Sequence, residues 1–195
     1  MIILASASPR RRELLTQIGC KFKVITSHAD ELSAEGLSPG ELVVKNAHLK
    51  AAAVAAEHGE YPVLGADTVV SLDGHIYGKP QDEEHARDML TRFSGRTHQV
   101  TTGVVFAWKN NFWQAWETTE VVFSPLSADQ IDEYIATGEP VDKAGAYAIQ
   151  GRAAVFIDGI RGSYSNVVGL PLHCLDGLAR KAGIDLYDNG EGSSS

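Results

Sequence analysis

Met1-Ile2-Ile3-Leu4-Ala5-Ser6-Ala7-Ser8-Pro9-Arg10-Arg11-Arg12-Glu13-Leu14-Leu15-Thr16-Gln17-Ile18 opens the chain as a strand running into a helix. The apolar run Met1 to Leu4 reads as the strand. Ser8 stands at the N-cap position and Pro9 at the first helical one, where its missing N–H costs nothing. Leu14, Leu15 and Ile18 share one face, and Gly19 ends the helix. The helix start holds an electrostatic contradiction. A helix N-terminus carries about half a positive charge and favours Asp or Glu, yet Arg10, Arg11 and Arg12 stand there. Free backbone N–H groups, two serine hydroxyls and converging guanidinium groups suit a phosphate. The plainer reading is a helix whose arginines are simply solvated.

Working outward, Phe22 to Ile25 alternates apolar and polar residues as a strand. An acidic loop, Asp30 to Glu35, follows. Ser38-Pro39-Gly40-Glu41 is a capping box with proline at the first helical position, and it starts a long helix to about Glu57. Pro62 to Ala66 is a buried strand running on through Asp67-Thr68-Val69-Val70. Asp73-Gly74 is a hairpin turn, and His75 to Gly78 returns from it. Ala86, Met89, Leu90 and Phe93 mark a helix over Asp82–Phe93. Gln99–Trp108 and Phe112–Phe123 form a long hairpin across Lys109-Asn110-Asn111. Ser127 to Gln130 is a second capping box, followed by a helix with Ile131, Tyr134 and Ile135 inward. Ala153 to Ile157 reads as a strand. Pro171 begins a last helix with Leu172, Leu175 and Leu178 as core. Strands and helices in this mixture predict an α/β fold around a central mixed sheet. A single domain over 1–187 is expected, with a second lobe at about 82–138 and a Gly/Ser-rich flexible tail at 188–195.

The chain has 195 residues and a formal net charge of −8, which disfavours broad binding to a nucleic-acid polymer without disfavouring a local phosphate pocket. No apolar run approaches the ~20 residues of a membrane span. Met1 leads directly into strand sequence, leaving no room for a signal peptide. Cys20 and Cys174 form no C-x-x-C pair, and reduced structural thiols in a cytoplasmic protein are expected. The seven histidines include no zinc-type pair, and neither a Walker-type loop nor G-x-G-x-x-G is present. Trp108, Trp113 and Trp116 read as sheet core or an interface.

Several polar residues are candidates for chemistry. Asp67 sits where a buried strand meets a loop, a place that suits a ligand site in open α/β sheets. It would hold a divalent ion, take a proton from water, or merely satisfy loop N–H groups. Lys79 returns one hairpin later toward the same mouth, where an ammonium suits phosphate oxygens. Lys50 lies at the edge of a buried helix face and either snorkels to water or points into a cleft. Glu31 in the acidic loop would pair with Asp67 to hold Mg²⁺ or Mn²⁺ by residue type alone. In Asp142-Lys143-Ala144-Gly145-Ala146-Tyr147-Ala148-Ile149-Gln150-Gly151 the small residues permit close approach. Tyr147 could stack on a ring and Gln150 could read a base edge, against the alternative of a tight structural loop.

Taken together, Ala5-Ser6-Ala7-Ser8-Pro9-Arg10-Arg11-x-Glu13-Leu14-Leu15, Gly65-Ala66-Asp67-Thr68, Gly78-Lys79-Pro80, Asp142 to Tyr147, Ile149-Gln150-Gly151 and Val168-Gly169-Leu170-Pro171 occur in one order. In that order the chain resembles the Maf family of nucleoside triphosphate pyrophosphatases, from Met1 to about Ile184. The resemblance implies an ITPase-like (Maf/Ham1) fold with a cleft between two lobes. It implies an acid-anhydride hydrolase that cuts a nucleoside triphosphate to the monophosphate and pyrophosphate with a divalent metal, Mg²⁺ or Mn²⁺. The Asp-Thr pair and the Ala-Gly-Ala-Tyr…Ile-Gln-Gly segment resemble the dTTP/UTP branch, in a house-cleaning role that extends to modified pyrimidine nucleotides. Ala148 departs from that branch, which often has Gly there. Carried over by motif, Asp67 is the proton acceptor. Arg10, Thr68 and Gln150 match positions linked to substrate choice. Ser8, Arg11, Lys50 and Lys79 match phosphate-lining positions, and Glu31 joins Asp67 for the metal. The family also implies a homodimer in the cytoplasm, with a nucleotide rather than a nucleic acid or membrane as partner. The alternatives are a non-catalytic nucleotide-binding regulator of septum formation and a 7-methyl-GTP pyrophosphatase.

Overall fold

Residues 1–187 are described by a computed structural model, and the expected tail lies outside them. The elements in order are β1 (Ile2–Leu4), α1 (Pro9–Gln17), β2 (Phe22–Val24), α2 (Pro39–Ala55), β3 (Val63–Leu72), β4 (His75–Tyr77), α3 (Glu83–Phe93), β5 (Thr97–Trp108), β6 (Asn111–Phe123), α4 (Ala128–Ile135), β7 (Ile157–Arg161), α5 (Tyr164–Val168) and α6 (Leu172–Lys181). Hydrogen-bonded strands follow the order β2-β1-β3-β5-β6-β7, with β4 beside β3. β1 is parallel to β2 and to β3, whereas β4 and β7 run antiparallel to β3 and β6. The mixed sheet is the one expected.

Local chemistry explains the turns and helix starts. Asp73 and Gly74 have φ of 51° and 79°, and Lys109 and Asn110 have φ of 50° and 61°, the doubly positive pattern whose twist suits a two-residue hairpin. Ser38 with Glu41, and Ser127 with Gln130, close both capping boxes reciprocally. Ser8 sits at the α1 N-cap position, but its side chain makes no capping bond. Its N–H instead donates to Ser6 Oγ at 3.2 Å.

The chain divides into two compact units. The first comprises Met1–Asp67, Thr102–Glu117 and the chain from Gly169 onward; the second comprises Thr68–Thr101 and Thr118–Val168. The second unit therefore starts before residue 82, runs beyond 138, and omits 102–117, unlike the expected lobe. β3, β5 and β6 each contribute residues to both units. In the first unit Ile3, Ala5, Ala47, Ala51, Val63 and Val105 pack as one core. Gly65 and Gly103 let α2 approach closely. A Cβ at Gly65 would collide with the Ala47 carbonyl, and one at Gly103 would lie 2.6 Å from the Val43 carbonyl carbon. In the second unit Ala86, Met89, Leu90 and Phe93 of α3 and Ile131, Tyr134 and Ile135 of α4 are buried in a shared core, as their spacing predicts.

Three expectations change. Ala153–Ile157 is not a strand. Residues Arg152–Phe156 form a 3₁₀ helix, and β7 begins only at Ile157. Ala153 and Phe156 turn inward while Val155 is 82% exposed, a three-residue spacing that suits a 3₁₀ turn and not strand alternation. Of the two readings of the tryptophans, sheet core falls and the interface stays, because Trp116 is exposed and Trp108 and Trp113 are half-buried. α5 has no counterpart in the sequence reading.

Candidate active site

α2 carries the residues that organise the first unit's polar centre. Asn46 and Lys50 are four positions apart, so they share a helix face. Gly65 lets that face come down on β3, where Asp67 lies. Lys50 Nζ donates to Asp67 Oδ1 at 2.7 Å, and Asn46 Nδ2 donates to Asp67 Oδ2 at 3.1 Å. Lys50 Nζ also lies 2.7 Å from Glu31 Oε1. Asn46 Oδ1 accepts the Leu32 N–H at 2.8 Å. One amide thus ties the acidic loop to the strand carboxylate, and one ammonium bridges both acids. Asp67 is 7% and Asn46 3% exposed, while the Glu31 side chain is 56% exposed. Glu31 and Asp67, paired by residue type as metal ligands, here share the Lys50 ammonium.

Asn46 was missed in the sequence. Its signal was a polar residue on the apolar face that carries Val43, Ala47 and Lys50, a place where an amide needs partners.

At the α1 start the three arginines separate. Arg11 is buried, with Nε donating to the Gly169 carbonyl at 2.8 Å and Nη1 to Ser6 Oγ at 3.1 Å. Burial lowers the Arg11 pKa, while the charges of Asp67 and Glu31 act in the opposite direction. The guanidinium remains a cation. Arg10 is half-buried and Arg12 exposed. α1 has no acidic residue in its first turn, so no carboxylate there offsets the positive end of its dipole.

Thr68, Lys79 and Gln150 belong to the second unit. Thr68 follows Asp67 in β3 and so faces the other side of the strand. β3 and β4 pair Val70 with Tyr77, and continuing that register places the exposed Lys79 level with Thr68. Gln150 is exposed at the third position of a turn closed by the Gly151 N–H on the Ala148 carbonyl at 3.0 Å. Tyr147 is buried, with its hydroxyl 2.8 Å from His98 Nε2. It is therefore a core residue and not a stacking platform.

Glu31 and Asp67 are the carboxylates that could serve a hard divalent ion. Glu31 Oε1 and Asp67 Oδ1 both reach one cationic atom. Among the described residues no group of three or more His, Cys, Asp or Glu could hold a metal. Two carboxylates with phosphate and water completing the shell is the pattern of Mg²⁺ beside nucleotides.

With this geometry in view, the chain's relatives are informative. The family model described as Maf-like protein matches residues 1–182. The chain belongs to the Maf-like family. A Maf-like relative from Symbiobacterium thermophilum, named dTTP/UTP pyrophosphatase, is 50% identical over 191 residues, covering 98% of each chain. Another of that name, from Clostridioides difficile, is 48% identical over 182 residues, covering 92% of this chain and 94% of its own. A Ham1 protein of Staphylococcus aureus has the same fold, with a TM-score of 0.51 at 15% identity, covering 93% of this chain and 98% of that one. The Maf/Ham1 fold inferred from the motifs is therefore the fold of this Maf-like chain.

Proposed function

We propose that this protein is a nucleoside triphosphate pyrophosphatase that hydrolyses dTTP and UTP to the monophosphate and pyrophosphate. The observation that carries the reading is the buried Asp67 carboxylate, aligned by Asn46 and Lys50 and joined through Lys50 to Glu31. The names of the relatives supply the substrate class. Each Asp67 oxygen accepts one side-chain hydrogen bond, from Lys50 or Asn46, and has a further lone pair to offer water. Water attacks a phosphorus of the triphosphate, its proton passes to Asp67, and the bond to the departing pyrophosphate breaks. Lys50, Lys79, Arg11 and the Ser8 hydroxyl hold phosphate oxygens. Arg11 does so from a fixed position, because Gly169 and Ser6 orient its fork. Mg²⁺ or Mn²⁺ held by Glu31 and Asp67 would neutralise phosphate charge. Arg10, Thr68 and Gln150 choose the base, with the Gln150 amide offering one donor and one acceptor to a pyrimidine edge. Positioning and charge neutralisation supply most of the rate.

The same reading makes the protein a cytoplasmic homodimer that takes free nucleotides and not a nucleic-acid polymer or a membrane. The net charge of −8 supports the choice of a free nucleotide. No helix among the described residues is long and apolar enough to cross a membrane. Incubation with dTTP, UTP, CTP and 7-methyl-GTP in the presence of Mn²⁺, followed by a pyrophosphate assay, tests the activity. Release from dTTP and UTP is expected. Release from none would favour a nucleotide-binding regulator, and a preference for 7-methyl-GTP would overturn the base assignment.

A further inference from the structure

The turn that carries Gln150 is held from one side by two residues with no part in the chemistry above. Tyr134, on α4, donates its hydroxyl to Glu139 Oε1 at 2.9 Å. Glu139 Oε2 accepts the Arg152 N–H at 3.0 Å. That contact falls two residues after Gln150. Gly151 completes the fit, since a Cβ there would run into the Glu139 carboxylate, lying 2.6 Å from Oε2. The Gly151 backbone is extended, with φ −103°, so glycine is needed there for room and not for conformation. Glu139 itself follows Gly138, whose φ of 73° ends the α4 segment. Tyr134, Glu139 and the Arg152 N–H thus form one chain of contacts beside the exposed Gln150.

We propose that Tyr134 and Glu139 are positioning residues for base selection: the Glu139 carboxylate, oriented by the Tyr134 hydroxyl, holds the Gly151–Arg152 end of the turn so that the Gln150 amide meets a pyrimidine edge in a fixed orientation. The proposal rests on the reading of Gln150 as the base-contacting residue. An exposed glutamine on an unsupported turn would spend rotational and backbone freedom on each binding event. A turn anchored at its Arg152 end has already lost part of that freedom, so its discrimination between donor and acceptor patterns is sharper. UTP and CTP differ in that pattern at one edge and share the same triphosphate, so their ratio isolates the effect.

Calorimetric Kd values for UTP and CTP, together with kcat and KM, test the clamp in Gln150→Ala, Glu139→Ala, Glu139→Gln, Gly151→Ala and the Glu139→Ala/Gly151→Ala pair. Gln150→Ala should erase the UTP preference. Glu139→Ala and Gly151→Ala should each weaken it by about tenfold through binding, with kcat for UTP within about twofold of wild type. Glu139→Gln should retain the preference, because its amide can donate to the Tyr134 oxygen and accept from Arg152. In the double variant Gly151→Ala should add nothing, since its Cβ no longer meets a carboxylate. Loss of melting temperature in Glu139→Ala with an unchanged UTP-to-CTP ratio would reduce the clamp to a structural contact and overturn the proposal. Additive effects in the pair would also overturn it. An unchanged ratio in Gln150→Ala would instead sink the base-reading assignment, and the clamp with it.

Discussion

Asp67 has a donor on each carboxylate oxygen, and the two donors are different in kind. Lys50 is a mobile point charge at 2.7 Å, while Asn46 is a buried neutral amide at 3.1 Å that also holds the Leu32 N–H. Asp67→Asn preserves shape and removes the carboxylate proposed as proton acceptor, so pyrophosphate release should fall about 10²–10⁴-fold with little change in melting temperature. Near-normal release would rule out the assignment. Asn46→Ala acts differently. It leaves the Leu32 N–H without its acceptor and Asp67 without its neutral donor, so it should cost about 1–3 kcal/mol of stability as well as turnover. Urea unfolding at neutral pH measures the first, and a stability within error of wild type would mean that the Asn46 amide is dispensable to the fold. At this scale the sequence was readable where a motif named the residue and silent where it did not. Asp67, Lys50 and Glu31 could be singled out as types, but not their common meeting point, because distance along the chain carries no distance in space. Asn46 looked like one polar residue in a helical run. Only the approach of α2 to β3 turns it into a partner of the carboxylate. Arg11 was readable as a cation but not as one anchored to Gly169, since that bond joins positions 158 residues apart.

Elements carry the next set of consequences. α2 can present Asn46 and Lys50 to Asp67 only because β3 and β5 have glycine where the helix crosses them. Gly65→Ala would force the Ala47 and Ala51 backbone outward, at a cost of about 1–3 kcal/mol. It should also lower turnover beyond the loss expected from unfolding, because it moves the Lys50 and Asn46 donors; equal losses in fold and activity would show that the spacing matters only to packing. On β5, His98 is 1% exposed among Phe93 and Phe123, and burial pushes its pKa down to about 4. The neutral ring is the one the fold tolerates. Between pH 6.5 and 4 the unfolded chain binds a proton that the folded chain does not, so this contribution to stability is full above pH 6.5 and is lost as pH falls. At pH 5 the loss should be about 2 kcal/mol relative to pH 7.5. His98→Phe should flatten that part of the pH profile in denaturant titrations, and an unchanged slope would mean another group titrates there. Capping boxes and hairpin turns made most elements legible, since Ser-x-x-Glu and Asp-Gly act through adjacent backbone. The 3₁₀ helix at 152–156 was not legible. Ala-Ala-Val-Phe is apolar enough for a strand, and only the tertiary setting shows that Val155 faces solvent.

For the molecule as a whole, the proposed Mg²⁺ or Mn²⁺ would rest on only two side chains of the protein, Glu31 and Asp67, with the nucleotide completing its shell. A chelator should stop pyrophosphate release, restored by Mg²⁺ or Mn²⁺, while leaving the melting temperature of the nucleotide-free protein unchanged. A chelator-induced drop in that temperature would point to a structural ion instead. The overall α/β class was legible because strand and helix signals alternate along the chain, whereas the two units were not, because each is assembled from separated segments. The first unit needs Met1–Asp67, Thr102–Glu117 and the chain from Gly169 onward. That arrangement bears on the order in which a ribosome can finish the protein. Every segment of the second unit has been synthesised by Val168, but the first must wait for the last stretch of chain. Until Gly169 emerges, the Arg11 guanidinium lacks the carbonyl that holds it, and the earliest residues made are among the last to reach their native partners.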